Sequence, residues 1–331
     1  MSTQMAGRGS LHRLLVPLDG SHLAECVLPA AISLGVRLNA RVILLHVMER
    51  AAPAVVHGER HLTETRQAEE YLGEIASQYG IRPVEIERHV HPNFEDDVTK
   101  SIIEHESALR TDLVVLSTHG RGDARRVLFG SVAQQVLRRG ARPVFLIRPA
   151  DPAQPADAAG FDLRRIVVPL DGTTPSEAVL PLSVTLASAW GGEIVIVRVV
   201  PALATVSGVR AGVALFTPSA TAASLEMEEA TAEKSLRTIA AQIQASGVRV
   251  LVSVARGDPA QEILDTARRT DAGMIAMATH GRAGLDAIFS GSVASRIAAK
   301  FPHPILLLRS DLDGSDISSR VDSRCAANLM A

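Results

Sequence analysis

A chain of 331 residues fits two domains of roughly 150 residues each. The composition is 47% hydrophobic but only 3% aromatic, so the interior must be built from Ala, Val, Ile and Leu, as in parallel sheets covered by helices. A formal net charge of -2 argues against nucleic acid or an acidic membrane as a partner, and no stretch approaches the roughly 18 apolar residues of a membrane span.

The N-terminal sequence and the cysteines predict a cytoplasmic protein. MSTQMAGRGSLH contains no apolar run of signal-peptide length. Cys26 and Cys325 are far apart and have neither metal-ligand nor CxxC spacing, which is typical of a reduced compartment. We therefore expect neither a membrane nor a nucleic acid as a partner, and no bound metal.

The first half of the chain alternates short apolar strands with helical patterns. The predicted strands are LLVPL (14–18), VILLHV (42–47), VEIERHV (84–90), LVVLS (113–117) and VFLIR (144–148). Helical patterns between them include residues 63–79 and 95–109. This alternation predicts right-handed crossovers and a parallel sheet with helices on both faces.

Two stretches of the first half return in the second. LHRLLVPLDGSHLAECVLP at 11–29 returns as LRRIVVPLDGTTPSEAVLP at 163–181, and the stretch at 117–148 returns at 278–309. The offset between the copies therefore grows from 152 residues to 161. The added residues predict a longer internal loop in the second copy, around 201–224.

The repeat also sets the expected domain boundaries. We expect one domain at 11–149 and another at 161–309. Between them, the Ala, Pro and Asp residues of 150–160 are typical of an exposed linker. The polar, weakly patterned residues 310–331 predict a loosely ordered tail.

Polar residues and glycines follow the first and fourth strands, where a doubly wound parallel sheet binds ligands. Asp19-Gly20-Ser21 follows the first strand, Ser117-Thr118-His119-Gly120 follows the fourth, and Gly130-Ser131-Val132 opens a helix that runs to about Arg139. Glycine lets backbone N–H groups approach a phosphate, and a helix N-terminus favours its negative charge. Asp19 could accept hydrogen bonds from ribose hydroxyls. These clusters therefore predict a nucleotide site.

The spacing S/A-x-x-G-x9-G-S in each half resembles the ATP-binding loop of the universal stress protein family. The VPLDGS start, the LLHV second strand and the PVFLIR end are also similar to that family, and the resemblance covers nearly all of 11–309. It implies two tandem open five-stranded parallel sheets of strand order 3-2-1-4-5, with helices on both faces, in an adenine-nucleotide alpha-hydrolase-like fold. It also implies a stress-response regulator that binds ATP, with AMP or ADP as alternatives and Mg²⁺ left open.

The resemblance implies one nucleotide site in each half. The first would consist of Pro17, Leu18, Asp19 and Val47 around adenine and ribose, and Gly120, Gly130, Ser131 and Val132 around the phosphates, with Ser117 and His119 beside them. The second would consist of Pro169, Leu170, Asp171 and Val199, then Gly281, Gly291, Ser292 and Val293, with Ala278 and His280 beside them. Family members that bind ATP usually have glycine where this chain has Ser117 and Ala278.

Other interpretations of the same residues remain open. Asp19 and Asp171 precede helices and could be N-caps only, and the glycines could serve turns and close packing. No GxxxxGK[ST] loop, magnesium-binding acidic pair or repeated nucleophile–base pair is present, so we expect no catalytic residues and no enzyme. The alternative functions are a stress scaffold that binds no nucleotide, and a slow ATPase.

The last strand of each half, VFLIR and ILLLR, is apolar and would lie at a sheet edge. An apolar edge favours pairing with another strand. We therefore expect the two final strands to pair within the chain and form a pseudo-dimer, with a further homodimer left open.

Overall fold

The structure is a computed structural model that describes residues 10–50, 55–56, 59–60, 62–80, 83–118, 130–149, 162–202, 218–280 and 293–310. The predicted linker lies outside these residues, as does the predicted tail apart from Ser310. Ser310 is the last residue of a strand, so that strand runs one residue into the segment predicted as tail.

The first half follows the predicted alternation of strands and helices. Its strands are β1 (Arg13–Pro17), β2 (Arg41–Glu49), β3 (Val55–Val56), β4 (Glu59–Arg60), β5 (Ile86–Glu95), β6 (Leu113–Ser117) and β7 (Val144–Ile147). Its helices are α1 (His22–Glu25), α2 (Leu28–Leu38), α3 (Thr65–Tyr79), α4 (Val98–Ala108) and α5 (Ser131–Arg139). β3 and β4 form a separate antiparallel hairpin, which the sequence did not predict.

The second half repeats this order without a described counterpart of the hairpin. Its strands are β8 (Arg165–Pro169), β9 (Glu193–Val200), β10 (Arg249–Arg256), β11 (Met274–His280) and β12 (Ile305–Ser310). Its helices are α6 (Thr174–Glu177), α7 (Leu180–Ala189), α8 (Pro218–Gln244), α9 (Pro259–Arg269) and α10 (Val293–Lys300).

The additional residues of the second half were expected in a loop around 201–224, and this is wrong for those from Pro218 onward. They belong to α8, which has 27 residues where α3 has 15. Residues 218–234 are rich in Ala and Glu, which are strong helix formers, and this composition extends the helix at its start. Residues 203–217 lie outside the described part of the chain.

The strand order of each half is the predicted one. The main sheet has ten strands in the order β10-β9-β8-β11-β12-β7-β6-β1-β2-β5, so each half reads 3-2-1-4-5 from its outer edge. In this sheet, all pairings within a half are parallel. The halves meet through β7 and β12, which pair antiparallel, as expected from their apolar sequences. The result is one continuous sheet.

The apolar core forms one layer on each face of this sheet, and both layers run through both halves. Successive residues of β1 alternate between the layers: Leu14 and Val16 belong to one, and Leu15 to the other. Both faces of the central strands are apolar because helices cover both. Ile102 of α4 and Val136 of α5 belong to the second layer, so these two helices lie on the same face.

The winding direction reverses between β1 and β6, and the two strands separate there. Their register contains only the pairs Leu14↔Leu113 and Leu15↔Val114, whereas β1 and β2 are paired along all of β1. β8 and β11 repeat this short pairing in the second half. In each half, the carboxyl ends of the central strands therefore leave room for a crevice.

Candidate functional site

A cavity of about 360 Å³ lies at the carboxyl ends of β1, β2 and β6. We call it the first crevice. The structure brings together here all the predicted first-half site residues that it describes: Pro17, Leu18, Asp19, Val47, Ser117, Gly130, Ser131 and Val132. His119 and Gly120 lie outside the described residues. Segments that are more than 100 residues apart in the sequence thus share one cavity because the sheet is parallel and its winding reverses here.

Asp19 shapes the turn after β1. Its Oδ1 accepts hydrogen bonds from the backbone N–H of Ser21, at 3.0 Å, and from the Ser21 hydroxyl, at 2.6 Å. Gly20 between them has φ +88°, a conformation that favours glycine. The side chain of Ser21 caps α1 by accepting from the Ala24 N–H, so the N-cap is Ser21 and not Asp19. Among the described residues, Oδ2 of Asp19 has no hydrogen-bond partner.

The backbone of Leu18 is held from both sides. Its N–H donates to the carbonyl of Leu45, at 2.8 Å, and its carbonyl accepts from Nδ1 of His46, also at 2.8 Å. His46 is only 1% exposed, as expected for a histidine inside an apolar strand. These bonds fix the floor of the first crevice beside Val47.

The N-terminus of α5 faces the first crevice. Gly130 precedes the helix, and its N–H donates to the carbonyl of Thr118, at 2.7 Å, which ties the helix start to the end of β6. The N–H groups of Ser131, Val132 and Ala133 have no acceptor among the described residues, and no side chain caps this helix. Unpaired N–H groups at a helix N-terminus form an anion site in many proteins.

Ser117 and Ala278 replace the glycine of the family pattern without backbone strain. Both lie in strands, and neither is among the residues with positive φ. A conformational penalty for a side chain therefore does not arise at either position. Ser117 also interacts with Cys26, where burial raises the thiol pKa to about 11 and the Ser117 hydroxyl lowers it by a smaller amount.

The sequence analysis missed the opposite wall of the first crevice. It consists of the start of α4 with neighbouring side chains: Glu49, Asp96, Asp97, Val98, Thr99, Ile102 and, from α5, Gln135. The sequence did contain information about this wall. Asp96 and Asp97 follow the third strand of a parallel sheet, so they lie at the same edge of the sheet as Asp19.

Asp97 connects the two helices that flank this wall. Its Oδ1 caps α4 by accepting from the N–H of Lys100, at 2.9 Å, and its Oδ2 accepts from Arg139 of α5, at 2.9 Å. The Arg139 hydrogen bond, followed by the Lys100 N–H, lowers the pKa of the Asp97 carboxyl. The Arg139 guanidinium also donates to Oε1 of Gln135, at 3.3 Å.

The second half places its predicted residues at matching positions. Pro169, Leu170 and Asp171 end or follow β8, Val199 lies on β9, Ala278 and His280 lie on β11, and Val293 begins α10. Gly281, Gly291 and Ser292 lie outside the described residues. We call this region, at the carboxyl ends of β8, β9 and β11, the second crevice. Asp171 binds the N–H and hydroxyl of Thr173, at 2.9 and 2.6 Å, as Asp19 binds Ser21.

The second crevice differs from the first in its charged side chains. Arg198 takes the place of His46, and its guanidinium lies against Gly172. Asp258 takes the place of Asp97 and caps α9 by accepting from the N–H of Gln261, at 2.9 Å. A bidentate bond with Arg296, and then the Gln261 N–H, lowers the pKa of the Asp258 carboxyl.

Within the described ranges, no helix is both long and apolar enough to cross a membrane. The same ranges contain no group of three or more His, Cys, Asp or Glu side chains arranged to hold a metal ion.

Comparison with known proteins identifies the family to which the chain belongs. A model described as the universal stress protein family matches residues 10–148 and 162–309, which is most of the chain. A universal stress protein of Methanocaldococcus jannaschii is 26% identical over 146 residues, which cover 44% of this chain and 82% of the relative. One of Mycolicibacterium smegmatis is 24% identical over 217 residues, which cover 65% of this chain and 67% of the relative.

A solved structure has the same fold over most of the chain. The crystal structure of a universal stress protein from Archaeoglobus fulgidus matches with a TM-score of 0.64 at 19% identity. The match covers 90% of this chain and 98% of that protein. The likeness thus extends over both halves.

Proposed function

The chain belongs to the universal stress protein family, and we propose that it binds an adenine nucleotide in the first crevice and acts in this form as a stress-response regulator. One observation carries the proposal: phosphate donors and a ribose acceptor face the same cavity. The donors are the three N–H groups at the start of α5, and the acceptor is Oδ2 of Asp19. The cavity volume of about 360 Å³ lies within the roughly 300–1,000 Å³ of small-molecule sites.

The phosphates of the nucleotide lie at the start of α5 in this proposal. A hydrogen bond to a charged group contributes roughly 1.5 to 3 kcal/mol. Three such bonds, from Ser131, Val132 and Ala133, are enough for micromolar affinity, which corresponds to about 8 kcal/mol, once the base and ribose add their contacts. The positive end of the helix dipole acts in the same direction.

The base and the ribose lie toward the ends of β1 and β2. Val47, Val98 and Ile102 supply apolar surface on one side of the cavity. Asp19 is positioned to accept from ribose hydroxyls, because the turn uses its Oδ1 and leaves Oδ2. Adenine rather than another base is taken from the resemblance of the loop to the ATP-binding loop of the family.

We propose binding without efficient hydrolysis. His46 lines the cavity but is only 1% exposed, so its ring is shielded from an attacking water and is poorly placed to act as a general base. Release of inorganic phosphate from ATP should therefore be negligible. Steady release that a Gly130→Asp substitution abolishes, with an unchanged circular dichroism spectrum, would favour the slow ATPase instead.

A thermal-shift series with ATP, AMP and GTP tests the binding proposal. A ligand present at a hundred times its dissociation constant stabilises the folded state by about 2.7 kcal/mol, so a rise in melting temperature with ATP is expected. Mass spectrometry of gently purified protein would detect nucleotide that co-purifies. No shift with any nucleotide and no co-purifying nucleotide would refute the proposal and favour the scaffold.

A further inference from the structure

The start of α4 carries two buried hydroxyl groups that differ in their surroundings. Thr99 is 3% exposed and Ser101 is 2% exposed, and neither hydroxyl has a hydrogen-bond partner among the described residues. The Ser101 hydroxyl is fully enclosed by protein. Thr99 lines the first crevice, and its hydroxyl is not enclosed in this way. The Thr99 hydroxyl is therefore open to a ligand in the crevice.

The packing of the helix does not require this hydroxyl. Thr99 is the second residue of α4, and the second residue of α9, 161 positions later, is Ala260. Ala260 is 1% exposed, so an alanine fills the matching place in the second half with the same burial. A buried hydroxyl that makes no hydrogen bond destabilises a fold. The threonine of the first half is therefore better explained by a contact with a ligand than by packing.

Thr99 lies beside apolar surface that suits a base. Val98 and Ile102 of the same helix and Val47 of β2 also line the first crevice. Small-molecule sites are mostly apolar, and a few polar groups fix the orientation of the ligand. A nucleobase matches such a surface, since its faces stack on apolar groups and its edge carries donors and acceptors. Thr99 thus lies on the base side of the nucleotide proposed above, away from the phosphate donors of α5.

The residues before Thr99 favour a ligand group that donates hydrogen bonds. Asp96 and Asp97 belong to the same wall, and ionised carboxylates only accept hydrogen bonds. Their arginine partners, Arg50 and Arg139, do not line the crevice. Adenine carries an amino group, a donor, at the position where guanine carries a carbonyl oxygen, an acceptor. The wall therefore suits adenine better than guanine.

We propose that the Thr99 hydroxyl accepts a hydrogen bond from the 6-amino group of adenine and so selects the base in the first crevice. This inference rests on the proposed nucleotide binding and adds the side chain that recognises the base. The same hydroxyl can donate its proton to the ring nitrogen next to the amino group, which is an acceptor. Loss of such a contact weakens binding by about tenfold.

A cycle that removes the hydroxyl from the protein and the amino group from the ligand tests this contact. Thr99→Val removes the hydroxyl and keeps the branched shape, Thr99→Ala installs the residue of the second half, and Thr99→Ser keeps the hydroxyl. The ligands are ATP and purine riboside triphosphate, which has hydrogen in place of the amino group. Ser101→Ala is the control, because it removes the enclosed hydroxyl of the same helix, which does not line the crevice.

Calorimetric titration gives the dissociation constants. The wild type, Ser101→Ala and Thr99→Ser should bind ATP about tenfold more tightly than the amino-free analogue. Thr99→Val and Thr99→Ala should bind ATP about tenfold more weakly than the wild type and should lose the preference for ATP over the analogue. Any binding to the second half is common to all these proteins, so the differences between them report on the first crevice. Circular dichroism shows whether each variant is folded, and the buried Ala260 makes Thr99→Ala the variant of choice if Thr99→Val does not fold.

The outcomes separate this inference from the proposed function. Equal ATP binding by the wild type and the folded Thr99 variants that lack the hydroxyl would overturn the base contact and leave nucleotide binding standing. So would equal losses of affinity for ATP and for the analogue. The same loss in Ser101→Ala would assign the effect to α4 as a whole and would also overturn the contact. Absence of ATP binding by the wild type would refute the proposed function and this inference with it.

Discussion

The guanidinium of Arg148 crosses the boundary between the halves and donates to the carbonyl oxygen of Ala299, at 3.0 Å. Arg309 makes the matching bond to the carbonyl of Arg138, at 3.1 Å. The donors Arg148 and Arg309 are 161 residues apart, and so are the acceptors Arg138 and Ala299. The two bonds are therefore related by a pseudo-two-fold axis. Each arginine reaches the last turn of a helix in the other half, where the helix dipole favours a cation.

Removing both cross-boundary arginines should weaken the interface. For the double variant Arg148→Ala and Arg309→Ala we expect the free energy of unfolding to fall by about 1 kcal/mol, since each exposed bond contributes modestly. Urea denaturation measures the change. The control is Arg237→Ala, which removes an exposed ion pair within α8. If the control lost as much free energy of unfolding as the double variant, the two interface bonds would have no specific role in stability.

The turn after β1 should not tolerate a side chain. Gly20→Ala places a Cβ at φ +88° and 3.0 Å from Leu62, so both strain and contact oppose it. We expect a loss of about 2 kcal/mol in the free energy of unfolding and weaker nucleotide binding. Gly191→Ala is the matched control: its φ is +60°, but its Cβ would meet no atom within 4 Å. Equal losses in the two variants would show that Leu62 contributes nothing.

Stability should fall as the pH drops below neutrality, because of a histidine cluster on β5 and α4. Nε2 of His89 lies 3.1 Å from Nε2 of His105, and the His91 ring lies 5.1 Å from that of His105. Burial, followed by repulsion from His105 and His91, lowers the His89 pKa from its ordinary value of 6.5, against an opposing effect of Glu87. The unfolded chain then binds more protons than the folded one.

This linkage makes the His89 contribution complete above pH 6.5 and progressively lost as the pH falls below it. Urea denaturation at several values between pH 7.5 and about 5 should show the loss. His89→Gln should reduce the slope of stability against pH in that window. A slope that does not change on substitution would assign the effect to other groups.

Glu106 should make an opposite contribution. Glu106 is 1% exposed, its Oε2 accepts from the N–H of Ala141, and its Oε1 has no partner in the part of the chain that the structure describes. Burial raises the pKa of this carboxyl, so the group binds a proton more readily in the folded state and destabilises the fold as the pH rises above 4.5. We expect Glu106→Gln to stabilise the protein at pH 7 by about 1 kcal/mol, with a smaller gain at lower pH.

Glu104→Gln serves as the control for that substitution, because Glu104 lies on the same helix but its side chain is 62% exposed. Urea denaturation of the three proteins at pH 7 and at about pH 5 gives the comparison. A loss of stability in Glu106→Gln at both values would mean that the ionised carboxylate is needed where it lies.

The sheet and part of the site could be predicted from the sequence, for physical reasons that apply to particular residues. Strands such as 42–47 are apolar apart from His46 because both of their faces are covered, and the repeat shows the same order of elements twice. The start of α8 could not be predicted, since its Ala and Ser residues follow a stretch that favours a loop. The N-cap role suggested for Asp19 belongs to Ser21, two residues later, because Asp19 binds that serine.

The wall formed by Asp97 and Gln135 depends on tertiary structure. Asp97 caps α4 and Gln135 lies on α5, neither belongs to a sequence motif, and their shared cavity follows from the packing of α4 beside α5. The same is true of Arg296, whose partner Asp258 lies 38 residues earlier in the sequence. A pattern of residue types shows that these residues are polar but not which of them come into contact in the folded protein.

The antiparallel junction of β7 and β12 also bears on how the two halves can change over time. In an assembly of two identical chains, every substitution appears in both crevices at once. Here the two partners of the junction belong to one chain and differ in sequence, so one half has Arg296 where the other has Gln135, 161 residues earlier. Because the two halves are fused in one chain, their sequences can change separately. The continuous sheet meanwhile keeps the two halves paired through β7 and β12.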